Sequence, residues 1–85
     1  MFFEKRGSDN IEMELPIIKE GCYKCLYRLV LRDKAGLNGK KLDTVPAKAV
    51  VEIVEIKYLT VSVWGNTRMG WLCMYMNETF YVKKT

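Results

Sequence analysis

Histidine is absent from all 85 residues, which removes the commonest general base and the commonest side-chain metal ligand together. No apolar run approaches the roughly 20 residues that a membrane-spanning helix takes. Residues 1–10 lack an apolar core and do not read as a secretory signal. No Gly-rich phosphate loop and no nucleophile elbow occur. Acid–base chemistry needs two carboxylates held close, and Asp33, Asp43, Glu52, Glu55 and Glu78 are scattered along the chain. These gaps predict a protein that is not an enzyme and takes no cofactor.

Cysteine is sparse and odd in number: Cys22, Cys25 and Cys73. A secreted domain of this size usually shows paired cysteines, so the expectation is reduced thiols and a cytoplasmic location. Cys22 and Cys25 have the spacing of half a zinc site, and Cys73 would give a third ligand. On a strand, however, residues three apart point to opposite faces, and no histidine completes the set. No metal is expected. Asn77-Glu78-Thr79 has the form of a glycosylation acceptor but stays silent in a cytoplasmic chain.

What is present is the composition of a folded domain, with 49% hydrophobic and 28% charged residues. The net charge of +4 is uneven. Residues 1–20 hold three basic and five acidic side chains, a net of −2, and residues 21–85 hold eleven and five, a net of +6. A basic body favours an acidic partner.

The residues divide into a leader or arm over 1–20 and a β domain over 21–85. Within the leader, Ile11, Met13 and Leu15 alternate with glutamates as a short strand stopped by Pro16. Tyr23, Cys25, Tyr27, Leu29 and Leu31 share one parity and predict a half-buried strand. Residues 32–41 form a polar loop with an Asn38-Gly39 turn signal. Residues 49–57 are the most β-branched stretch, and Glu52 and Glu55 fall on opposite parities. That phase change predicts a bulge or bend near Val54. Residues 58–64 alternate again, residues 65–68 read as a hairpin loop, and Asn77-Glu78 as a second tight turn. Five or six short strands at this spacing predict an all-β chain, a small antiparallel barrel. Its core is expected to include Tyr27, Leu29, Val51, Ile53, Leu59, Val61, Val63 and Leu72.

From Tyr27 to about residue 82 the order of elements resembles the bacterial-type SH3-like (SH3b) domain family. The matching pieces are Arg32 before its loop, the turn Val45-Pro46-Ala47-Lys48-Ala49, the run Val50-Val51-Glu52-Ile53-Val54-Glu55 and the step Gly70-Trp71-Leu72. Ala47-Lys48-Ala49 stands where the family usually has a glycine. The resemblance implies an SH3-like barrel that binds peptides, cell-wall segments or other proteins, with Trp71 as the one ligand residue that carries over.

The aromatic residues carry the functional expectation. If Leu59, Val61 and Val63 face the core, Tyr58 and Trp64 turn outward. If Leu72, Met74 and Met76 face it, Trp71, Cys73 and Tyr75 turn outward. A hairpin about Asn66 and Thr67 would then gather Trp64, Trp71 and Tyr75, with Tyr58 and Arg68 at the edge, into a recognition patch for a protein or peptide partner. The chain is expected to be a non-catalytic interaction module within a larger assembly or chain. The alternative is a nucleic-acid-binding barrel, in which Lys24, Arg28, Arg32, Lys34, Lys40 and Lys41 form a basic band and exposed aromatics stack on bases.

Overall fold

The alternation that begins at Gly21 becomes two strands, because residues 26–28 turn a corner. The computed structural model describes residues 15–85, and among these it has nine strands and no helix. The strands are β1 Gly21–Cys25, β2 Leu29–Arg32, β3 Lys41–Val45, β4 Val50–Ile53, β5 Glu55–Tyr58, β6 Ser62–Asn66, β7 Trp71–Met76, β8 Thr79–Phe80 and β9 Val82–Lys84. No helix among the described residues is long and apolar enough to cross a membrane. Residues 1–14, with most of the expected arm and its short strand, lie outside the described residues.

Two antiparallel sheets share the strands. The smaller has the order β9-β1-β4; the larger runs β3-β2-β7-β6-β5, with β8 alongside β7. The fold is thus all-β, as the sequence pattern predicts, with nine short strands among the described residues where five or six were expected. The extra strands arise where single apolar runs break and pass from one sheet to the other. Residues 26–28 carry the chain from the small sheet to the large one. At Val54, where the glutamate phase changes, β4 in the small sheet gives way to β5 in the large sheet.

The core lies between the sheets. Tyr23, Cys25, Ile53 and Val82 come from the small sheet, and Leu29, Leu31, Val45, Leu72 and Met74 from the large one. Fully burying each aliphatic side chain stabilises the fold by about 1.5–3 kcal/mol. Gly65 makes the close packing possible: a Cβ there would stand 2.8 Å from Ile53 Cγ2 and 2.6 Å from Met74 Sδ.

Of the expected core, Leu29, Ile53, Val63 and Leu72 are buried, and Val51 and Leu59 are half-buried. Tyr27 and Val61 correct the expectation, at 54% and 38% exposed. Tyr27 sits on the corner between β1 and β2, and Val61 in the turn between β5 and β6, so neither belongs to a strand. The turns use left-handed backbone where their geometry requires it. Asn77 and Glu78, at φ 52° and 62°, make the two-residue reversal between β7 and β8. Lys48 adopts φ 75° in the turn before β4, a conformation glycine takes at less cost.

Candidate functional site

The outer face of the large sheet, turned away from the core, carries the site. Directly opposed residues in an antiparallel pair share a face. Trp64 on β6 lies opposite Lys57 on β5 and Cys73 on β7, and Trp71 lies between Asn66 and Arg32. This face is capped by the loop 33–40. Its ends close through the Asp33 N–H to Lys40 O, 2.9 Å, and the Lys40 N–H to Asp33 Oδ1, 2.8 Å. Arg32 reaches into the loop from the end of β2 and donates from Nη1 to Gly39 O at 2.9 Å and Leu37 O at 3.3 Å. A Cβ at Gly36 would stand 3.5 Å from Leu59 Cδ1, so the loop tip touches the turn beyond β5.

Between this loop and the corner 26–28 lies an open groove of about 280 Å³, lined by Arg28, Leu29, Val30, Arg32, Leu37, Trp64, Cys73 and Tyr81. Ligand pockets span about 300–1,000 Å³, so this volume is at the small end and suits one or two side chains. Trp64 forms its back wall, 1% exposed, with the indole N–H donated to Ser62 Oγ at 2.9 Å. Leu37 and Tyr81 form the sides. The Tyr81 ring meets Tyr27 edge-on, centroids 5.8 Å apart, and the Leu26 N–H donates to Tyr81 O at 2.9 Å. These contacts fix the corner against the segment just before β9. Burial pushes the Cys73 thiol up to about 11, opposed only by its contact with Tyr75 O. At neutral pH it is therefore an uncharged part of the groove wall and no nucleophile.

The five residues expected to form one patch do not come together. Trp64 does point to the outer face, but it is buried where exposure was expected. Trp71 shares that face and is half-buried one row away. Tyr75 faces the other way. Between β6 and β7 the register slips at Met74, so Trp64 opposes Cys73 while Val63 opposes Tyr75. The extra residue reverses the parity beyond it, which puts Tyr75 on the face of Val63 and Met76 on the face of Ser62. Tyr75 packs edge-on against Phe80, centroids 4.8 Å apart. Tyr58 opposes Val63, so it lies on the face away from Trp64, and it stays 44% exposed. The expected strand over 58–64 is in fact a reversal through 59–61, across which parity does not carry. The Tyr58 hydroxyl accepts the Ile18 N–H at 2.9 Å and donates to Ile18 O at 3.0 Å, tying residues before β1 to β5. Arg68 stands at the tip of the turn 67–70, 3.9 Å from Glu52, in a largely exposed pair that contributes little.

The expected basic band is also divided. Lys24 belongs to β1 in the small sheet, opposite Lys83. Arg28, Lys34, Lys40 and Lys41 follow the corner, the loop and β3, and Arg32 is drawn into its own loop. Cys22 is exposed and Cys25 buried, on opposite faces of β1. No group of three or more potential metal ligands occurs among the described residues.

Val30, Leu37 and Tyr81 are groove residues that the sequence placed in neither expected site, and Arg28 was expected only in the alternative basic band. Arg32 and its loop were the available signal. Tyr81 meets the corner 26–28 across more than fifty residues, and no local pattern announces that contact. A second, more polar cleft of about 490 Å³ lies between loop 33–40 and the turn 59–61 and shares Leu37 and Trp64 with the groove. A third lies at the other end of the core, lined by Ile17, Ile18, Lys19, Tyr23, Phe80, Val82 and Lys84. Lys84 Nζ sits 5.0 Å from the centre of the Tyr23 ring there. Comparison with protein-family models, with curated proteins and with solved structures finds no match to this chain.

Proposed function

We propose that this chain is a non-catalytic module of SH3-like type that binds a peptide, or a segment of another protein, in the groove beside loop 33–40. The observation that supports this reading most is the groove itself: a small, mostly apolar slot whose loop wall is braced by Arg32. Its volume fits side chains of a peptide, and its walls are already in place before a ligand arrives. Binding to such a preformed slot loses little to reorganisation. The module works in the cytoplasm, where the three cysteines stay as thiols.

One titration series separates this reading from nucleic-acid binding. The chain is titrated with a pool of acidic and proline-containing peptides and with a random oligonucleotide, each at low and moderate salt. Peptide binding that changes little with salt is the expected result. Oligonucleotide binding that falls steeply with salt, as counterion release requires, contradicts it.

A further inference from the structure

We propose that the groove selects a peptide in which one large apolar side chain stands beside a carboxylate, and that Arg28 is the clamp for that carboxylate. The inference rests on the groove being a peptide site. Its charged lining residues are Arg28 and Arg32, and no acidic side chain lines it. The two arginines have different tasks. Arg32 Nη1 faces inward onto Leu37 O and Gly39 O, so it positions the loop. Arg28 is exposed on the corner 26–28, at the mouth of the same groove.

The corner that carries Arg28 is held twice by Tyr81, through the Tyr27–Tyr81 ring contact and the Leu26 N–H bond to Tyr81 O. A guanidinium on a fixed corner offers a carboxylate two parallel donors. Next to it, Val30, Leu37 and the neutral Cys73 thiol present an apolar wall. An apolar side chain entering that wall brings a neighbouring carboxylate to the arginine. The net +6 of residues 21–85 draws an acidic segment toward the surface. Trp64, 1% exposed, offers no ring face for a nucleobase to stack on at the back of the groove.

The test uses three blocked peptides of equal length. The first has one leucine flanked by two glutamates, the second has glutamines for the glutamates, and the third has alanine for the leucine. Binding is read by calorimetry to the wild-type chain and to Arg28→Gln and Arg28→Lys, with thermal melts confirming that the variants are folded. The glutamate peptide should bind, and the glutamine and alanine peptides should each bind about tenfold more weakly. Arg28→Gln should weaken the glutamate peptide to the level of the glutamine one and leave the glutamine peptide unchanged. Arg28→Lys should fall between. Equal binding of the glutamate and glutamine peptides would overturn the clamp and leave a peptide groove standing. Equal binding of the alanine peptide would overturn the apolar half of the inference. Absence of binding by all three would overturn both the clamp and the peptide-binding reading.

Discussion

Trp64 donates its indole N–H to Ser62, two residues earlier on the same face of β6, and both side chains are buried. The tryptophan that sequence parity offers as a recognition residue is therefore a structural anchor behind the groove. Ser62→Ala leaves that donor buried without its partner, at a cost of about 1–3 kcal/mol. Trp64→Ala should cost more, about 3–5 kcal/mol, because it also empties a cavity. Urea unfolding with unchanged slope measures both. Losses under about 0.5 kcal/mol would mean that Trp64 is a surface residue after all.

Gly65 faces the core between Ile53 and Met74, with no room for a methyl group. Gly65→Ala should destabilise the protein by about 1–3 kcal/mol through overpacking, although alanine is otherwise acceptable in a strand. Met74→Ala in the same chain should recover part of that loss by making space. Strictly additive effects of the two changes in a double-mutant cycle would show that they do not touch.

Arg32 braces the loop through two carbonyls, and hydrogen bonds from a charged donor are worth about 1.5–3 kcal/mol each at most. Arg32→Ala should therefore release loop 33–40 without unfolding the sheets. Amide hydrogen exchange at Gly39 and Lys40 should accelerate while exchange in β6 and β7 stays slow, and tryptophan emission should shift to the red. Unaltered exchange at Gly39 and Lys40 would show that the loop holds itself.

Much of the fold was legible because burial on a strand follows a two-residue rhythm. Tyr23, Cys25, Leu29 and Leu31 keep it across a corner, and the glutamate phase change marks where β4 passes into β5. The candidate site was less legible, and the reasons are local. Residues 59–61 alternate like a strand but reverse the chain, which leaves Tyr58 on the face away from Trp64. One extra residue at Met74 does the same to Tyr75. The groove depends on contacts between the corner 26–28, the loop 33–40 and Tyr81, which only the tertiary fold brings together.

The thiols give the protein an alkaline limit. Burial raises Cys73 from an ordinary 9.0 to about 11, and burial raises Cys25 as well. Between these values the folded chain keeps protons that the unfolded chain has lost. Stability is thus complete below the unfolded value of 9.0 and falls as pH rises through about 11. Chemical denaturation from about pH 8 to about pH 11 should show this decline, less steep in Cys73→Ala. An identical slope in the variant would remove Cys73 as its source. At neutral pH a thiol reagent should modify exposed Cys22 well before Cys25 or Cys73.

The most direct measurement of the central claim is a map of amide shifts on the isotope-labelled chain as the glutamate–leucine peptide is added. The groove reading predicts the largest changes at Arg28, Val30, Leu37, Cys73 and Tyr81 and at the Trp64 indole N–H. Changes gathered instead at Ile18, Tyr23, Phe80 and Val82, around the opposite cleft, or no changes at saturating peptide, would contradict it.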